Sequence, residues 1–310
     1  MAEGKSVLLE AVCGAGKTEL VYAAIADQLK RGRRVGFAIS RRQVVLEIAE
    51  RLRGVFSHLK VVAVCQGHTA DVTGDLIVCT THQLYRYNRY FDLLIIDEPD
   101  AFPFKGNRTL QGFAANACRG SYVYLTATPD RQLRFQVMAG KIGYLYLAKR
   151  PSGRDLCLPE VIYGPKVFLL VCGLIMMIRL LKMRKPLIIF TPSIMTGRRL
   201  YKVLRPFVSC CSIDSTVENR DELISGFRAG QYKLCISTTV LERGITIPSV
   251  SIIVLYAHSG RFDEASLTQM AGRVGRSVAD PYGECLFLSQ QRSEDIDRCL
   301  ASIKRANSCE

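Results

Sequence analysis

Ala11-Val12-Cys13-Gly14-Ala15-Gly16-Lys17-Thr18, followed by Glu19, is the stretch from which the fold of this chain is read. Ser6 to Glu10 ahead of it is a short apolar run with the length of a buried strand. Glu19 to Ala26 behind it has helical spacing and no breaker. Strand, glycine-rich turn and helix, in that order, is the setting of a phosphate-binding loop. Gly14 and Gly16 let the backbone curl so that successive N–H groups face a phosphate, and the helix start adds the positive end of its dipole. Lys17 is then placed for the β- and γ-phosphates, and Thr18 for a magnesium ion. Ala11 stands where the common pattern opens with Gly.

Beyond the loop, strand-like runs (Val35 to Ile39, Val61 to Cys65, Leu76 to Cys79) alternate with a helix-like one (Gln43 to Leu52). That rhythm predicts a parallel sheet with helices on both faces, whose ligands gather at the carboxyl ends of the strands. Two strand-to-helix junctions there, Ser40-Arg41-Arg42-Gln43 and Thr80-Thr81-His82-Gln83-Leu84, carry cations and hydroxyls. They fit contacts to a nucleic-acid backbone, and they equally fit ordinary helix caps. Phe91 to Asp100 is an apolar strand ending in Asp97-Glu98-Pro99-Asp100. Asp97 is expected to hold magnesium, directly or through water, and Glu98 to orient and deprotonate an attacking water. Tyr122 to Pro129 supplies a further strand whose terminal hydroxyls, Thr126 and Thr128, are placed to link the nucleotide site to a second ligand.

The 310 residues are enough for two α/β lobes, and 48% hydrophobic content excludes wholesale disorder. A net charge of +14 points to a polyanionic partner. Lysine and arginine cluster at Lys30, Arg31, Arg33, Arg34, Arg41 and Arg42, and again at Arg179, Lys182, Arg184 and Lys185. The 12 cysteines are scattered through apolar, strand-like runs (Cys65, Cys79, Cys172, Cys235, Cys285) without a C-x-x-C pair, which reads as buried, reduced thiols in a cytosolic protein. The apolar run Val167 to Ile178 is too short to span a bilayer and reads as a buried helix.

The breaker-rich segment from Arg150 to Pro165 divides the chain into a first lobe (1–150), a linker (151–165) and a second lobe (166–310). Strand–helix alternation then resumes, with no second phosphate loop. The second lobe instead carries Ser237 to Pro248, containing Leu241-Glu242-Arg243-Gly244, and Gln269-Met270-Ala271-Gly272-Arg273-Val274-Gly275-Arg276. Gln269, Arg273 and Arg276 are spaced four and three residues apart, so they are expected on one helix face, with the arginine forks aimed at nucleotide phosphates. Gly272 and Gly275 would each cost such a helix about 1 kcal/mol, which speaks against a purely structural role.

Ala11 to Glu19, Thr80 to Leu84, Ile95 to Phe104, Leu241 to Gly244 and Gln269 to Arg276 occur in the order of the superfamily 2 helicase motifs, and nearly the whole chain resembles that superfamily. Within it the chain is most similar to the ComFA family of late-competence, PriA-like ATPases. The resemblance implies two RecA-like lobes, each a parallel sheet flanked by helices, with ATP in the cleft and single-stranded DNA across both lobes. It implies ATP and Mg2+ as cofactors, with Ala11, Val12, Cys13, Gly14, Ala15, Gly16, Lys17, Thr18, Glu19 and Gly244 on the nucleotide. Lys17, Asp97, Glu98, Gln269, Arg273 and Arg276 would carry the chemistry, and Thr18 and Asp97 the metal. Arg41, Arg42, Thr81, His82, Thr191 and Thr238 are the implied DNA contacts. The implied role is ATP-driven movement of incoming single-stranded DNA during transformation, in a cytoplasmic protein. Peripheral placement at the inner face of the membrane, beside other competence or DNA-processing proteins, stays open. Only ten residues precede Ala11, where the family carries an N-terminal extension with a four-cysteine zinc site and an upstream nucleotide-binding segment; a shortened form and an incomplete start both stay open, and no zinc is expected. A repair or replication-restart helicase of the same fold, and an ATP-gated DNA clamp with little turnover, remain as alternatives.

Overall fold

The computed structural model describes residues 4–242, 247–275 and 283–308. The chain divides into two compact units, Met1–Leu147 and Ala148–Glu310. The first is built on seven strands: β1 (Val7–Ala11), β2 (Val35–Ile39), β3 (Val61–Val64), β4 (Leu76–Thr80), β5 (Phe91–Asp97), β6 (Cys118–Thr126) and β7 (Gly143–Leu147). They lie in the order β3-β4-β2-β5-β6-β1-β7, every pair parallel. Sequences such as VGFAI in β2 and VVAV in β3 are buried at every position. Such runs suit strands covered on both faces, which is why parallel order and flanking helices come together. The helices are α1 (Lys17–Leu20), α2 (Tyr22–Lys30), α3 (Arg42–Val55), α4 (Arg108–Ala117) and α5 (Arg131–Met138). Phe91, Leu94, Ile96, Leu84 and Leu110 form the centre of one core layer.

The second unit repeats the plan. Its strands are β8 (Glu160–Tyr163), β9 (Leu187–Phe190), β10 (Cys210–Ile213), β11 (Leu234–Ser237), β12 (Ser251–Leu255) and β13 (Cys285–Ser289). They stand in the order β10-β11-β9-β12-β13-β8, again all parallel. The helices are α6 (Lys166–Lys182), α7 (Ile194–Leu204), α8 (Arg220–Arg228), α9 (Glu264–Ala271) and α10 (Glu294–Asn307). Several helix starts are capped by the residue type that favours one: Ser193 accepts from the Thr196 N–H at 3.1 Å, and Asp263 from the Ser266 N–H at 2.8 Å.

Five local expectations change. The helix after the phosphate loop is interrupted at Val21, whose N–H bonds the Thr18 carbonyl three residues back at 3.3 Å, before α2 begins. The segment expected as a linker contains β8, an edge strand paired to β13. Its register partner lies more than a hundred residues away, beyond any local signal. Third, α6 is buried on one side only. Leu169 and Leu180 are fully buried against the sheet, whereas Val167 is 74% and Ile175 62% exposed. Fourth, Cys172 lies in α6 rather than in a strand. Finally, α9 ends at Ala271, so Gln269 and Arg273 do not share a helix face; the two glycines terminate the helix instead, with Gly275 at φ 65°. Among the described residues, no helix is long and apolar enough to cross a membrane. The described cysteines are free thiols, all buried except the half-buried Cys157 and Cys172. Burial pushes the Cys79 thiol up to about 12, which leaves it unreactive at neutral pH.

Candidate active site

In the first unit the predicted nucleotide residues meet at the carboxyl edge of the sheet. β1 and β5 both pair with β6, with Glu10 level with Thr126 and Asp97 level with Leu125. The ends of β1 and β5 therefore stand about 10 Å apart, two strand spacings. Gly14 (φ 83°) and Gly16 (φ 77°) take left-handed values, and the Ala15 N–H closes the turn onto the Val12 carbonyl at 3.1 Å. Lys17 and Thr18 open α1 and are half-buried, beside buried Ala11, Val12, Cys13 and Ala15. Glu19 is exposed and lies 3.8 Å from Arg51.

Asp97 is the last residue of β5, and Glu98 follows it at φ 54°. A left-handed conformation is costly for a residue with a Cβ, and it breaks the strand at the carboxylate pair. Pro99 steers Glu98 away from right-handed helix, and the Glu98 N–H is fixed on the Leu125 carbonyl at 2.8 Å. Among the described residues, no group of three or more His, Cys, Asp or Glu side chains is placed to hold a metal ion. Magnesium needs no such cage, because one or two protein oxygens suffice when water and substrate phosphate fill its octahedron. The Asp97 carboxylate and the Thr18 hydroxyl are hard oxygen donors suited to that use.

Asp100 is the residue that the sequence analysis left without a role. It is 3% exposed, and its two oxygens are taken up by the last residue of β6 and by Thr128 just beyond it. The Thr126 hydroxyl donates to Oδ1, the Thr128 hydroxyl to Oδ2 at 2.8 Å, and the Thr128 N–H to Thr126 Oγ1 at 3.0 Å. The turn that carries Glu98 is thereby tied to the end of the neighbouring strand. The available signal was the third acid of the box read together with paired threonines at the next strand end. Asp100→Ala is expected to leave two hydroxyls without their acceptor and to lower stability by about 1–3 kcal/mol. Nucleotide turnover should fall as well, through loss of the turn that sets Glu98. Urea unfolding with parallel hydrolysis assays checks this; unchanged stability would refute the anchor.

The candidate backbone contacts of this unit lie on the same edge. Arg41 holds the N-cap position of α3 and Arg42 begins it; burial pushes the Cys65 thiol up, and the nearby Arg42 charge opposes that pull. Thr81 starts a short 3-10 turn after β4, fully buried, and His82 beside it is exposed. Ser40 Oγ and Thr81 Oγ1, at the ends of adjacent β2 and β4, are buried with no hydrogen-bond partner in the structure. The basic clusters split. Lys30, Arg31, Arg33 and Arg34 precede β2, so they sit at the opposite, amino edge, with Arg31 on Asp27 at 3.1 Å and Arg34 over the Tyr90 ring at 4.4 Å. Arg179, Lys182, Arg184 and Lys185 likewise precede β9.

In the second unit Thr191 follows β9, and Thr238 follows its neighbour β11. Thr191 is fully buried, its hydroxyl donating to the Ser193 carbonyl at 3.2 Å, so the side chain is spent within the fold. Thr238 is half-buried and caps a 3-10 turn over Thr239–Leu241. That turn meets the arginine segment: Arg273, 6% exposed, donates from Nε to the Glu242 carbonyl at 3.1 Å. Gln269 is buried in the last turn of α9. Gly244 and Arg276 lie outside the described residues.

Comparison with known proteins shows the family and the fold. The family described as "Type III restriction enzyme, res subunit" matches residues 2–131, and the helicase conserved C-terminal domain matches residues 170–278. The competence protein ComFA of Streptococcus pneumoniae is 35% identical across 98% of this chain and 73% of that protein. ComFA of Bacillus subtilis is 33% identical across 99% of the chain and 69% of that protein. Among solved structures, S. cerevisiae Dbp5 bound to RNA and ADP BeF3 superposes with a TM-score of 0.69 at 18% identity, covering 98% of this chain and 83% of Dbp5. RecG bound to a three-way DNA junction gives 0.69 at 20% identity, covering 99% and 42%. At those identities the structural likeness speaks for the fold alone.

Proposed function

The chain belongs to the ComFA family of competence proteins and is an ATP-hydrolysing superfamily 2 helicase, and we propose that it moves along single-stranded DNA to draw it into the cell during transformation. The observation that carries the reading is that the glycine-rich loop follows β1 and the acid box closes β5 on one sheet edge, the two strand ends standing about two strand spacings apart. Lys17 would neutralise the terminal phosphates, while Asp97 and Thr18 would hold the magnesium ion that accompanies the nucleotide. Glu98 would position the attacking water and take its proton. Arg273 and Arg276 of the second unit would stabilise charge on the transferring phosphoryl group, and Gln269 completes the proposed set.

Arg41, Arg42, Thr81, His82 and Thr238 are the proposed backbone contacts. The unpartnered hydroxyls of Ser40 and Thr81 support this reading, because a buried hydroxyl without an acceptor costs about 1–3 kcal/mol that a phosphate oxygen or bridging water would offset. Arg41 and Arg42 carry more of this reading than the net charge does, since the other basic clusters sit at the opposite sheet edges. Peripheral placement at the inner face of the membrane, beside other DNA-processing proteins, goes with the proposed role.

An ATPase assay with and without single-stranded DNA, duplex DNA and single-stranded RNA tests the proposal. Stimulation by single-stranded DNA is expected; turnover indifferent to all three would reject a nucleic-acid motor. Binding should be largely sequence-independent and salt-sensitive. If about five phosphates are neutralised, affinity for a single strand falls roughly 100-fold between 50 and 200 mM salt. Fluorescence-anisotropy titrations over that range measure the slope, and a flat response would point to a protein partner instead.

A further inference from the structure

Arg150 belongs to none of the motifs above, yet it is one of the most deeply buried cations in the chain, at 5% exposure. A guanidinium at that depth requires partners, and three of them are backbone carbonyls of a single turn. Nη1 donates to the Val274 carbonyl at 2.9 Å and the Gly275 carbonyl at 2.7 Å, and Nη2 to the Gly272 carbonyl at 2.9 Å. This is the turn into which α9 breaks after Ala271; the helix's own Thr268, Met270 and Ala271 carbonyls accept the N–H groups of Gly272, Arg273 and Val274, and Arg150 takes the carbonyls of the turn itself, at the negative end of the helix dipole. A planar fork of donors suits several carbonyls crowded into one turn. The same turn holds Arg273, whose Nε is fixed on the Glu242 carbonyl.

We propose that Arg150 is a positioning residue for nucleotide hydrolysis: it sets the Gly272–Gly275 turn and with it the backbone that carries Arg273. The proposal rests on the reading of Arg273 given above. A misplacement of about 1 Å costs on the order of 10²-fold in turnover, so the effect of losing this anchor is kinetic as well as structural.

Arg150→Lys keeps the charge and most of the stem, but a single ammonium cannot span carbonyls of three residues in one plane. Hydrolysis is measured for Arg150→Lys, Arg273→Ala and the double variant, per active molecule counted by titration with a nucleotide analogue. Arg150→Lys should lower kcat about 10- to 100-fold and leave the Kd of the analogue within about twofold of wild type. On the Arg273→Ala background the same change should cost about twofold or less, because both act through one turn. Equal losses on both backgrounds, or an unchanged kcat per active molecule, would overturn the proposal. Arg150→Gln, read the same way, takes its place if the lysine variant does not fold. An Arg273→Ala enzyme at wild-type turnover would instead remove the arginine role from the proposed function, whereas sensitivity to Arg273→Ala with indifference to Arg150→Lys removes only Arg150.

Discussion

Lys17→Ala is expected to abolish nucleotide hydrolysis and to weaken nucleotide binding. Lys17 is the first residue of α1, held in place by Gly16 in the left-handed region and by the Leu20 N–H on the Gly16 carbonyl at 3.1 Å. The loop therefore stays formed when the side chain is cut back, and what disappears is the cation. Preorganised charge at a transferring phosphoryl group acts where water is excluded, and losing even one neutral donor from such a site costs on the order of 10²–10³ in turnover. A full charge should cost at least that. The side chain is half-buried and fills no core, so unfolding free energy should change by no more than about 0.5 kcal/mol. Steady-state hydrolysis, nucleotide titration and urea unfolding on one preparation separate these effects. A variant that turned over like wild type would remove the phosphate loop from the mechanism.

The second large effect divides the acid box. Glu98→Gln keeps the shape of the side chain and deletes the base, so turnover should fall by about 10²–10⁴ while nucleotide stays bound. The backbone supports this separation, because Glu98 is positioned by its own N–H on the Leu125 carbonyl and by its φ of 54°, neither of which needs the carboxylate. Asp97→Asn should act differently, raising the magnesium concentration needed for nucleotide binding. Magnesium titrations of both variants decide the matter: matching curves would show that the two acids are not divided in role. Asp100 offers a contrast within the same four residues. Its loss is predicted to show first in stability, since its oxygens face Thr126 and Thr128 rather than a ligand.

The glycine-rich loop, the parallel sheets and the placing of the candidate residues at strand ends were all legible in the sequence, for a local reason. A glycine-rich turn between an apolar run and a helical run has few other uses. An unbroken apolar strand such as Ile95-Ile96 leading into Asp97 states its own burial, and its own end, within ten residues. The helix at Arg273 was misread because spacing reports which face residues would share if the helix continued, while its stopping point was set by Gly272, Gly275 and the carbonyls that Arg150 satisfies.

What the sequence by itself determined, then, is each element's identity and the chemistry at its end, because hydrophobic period, turn residues and caps act over a few positions. What only the tertiary structure decided is who meets whom. Strand β8 was hidden in a breaker-rich stretch until β13 supplied its partner. The apolar outer side of α6 was indistinguishable from its inner side until the sheet covered one of them. Asp100 found Thr126 and Thr128 across 26 and 28 residues, and Arg150 found the turn after α9 across more than 120. The order of strands in a sheet sets these encounters, and that order is fixed by the packing of the whole unit rather than by any window of its sequence.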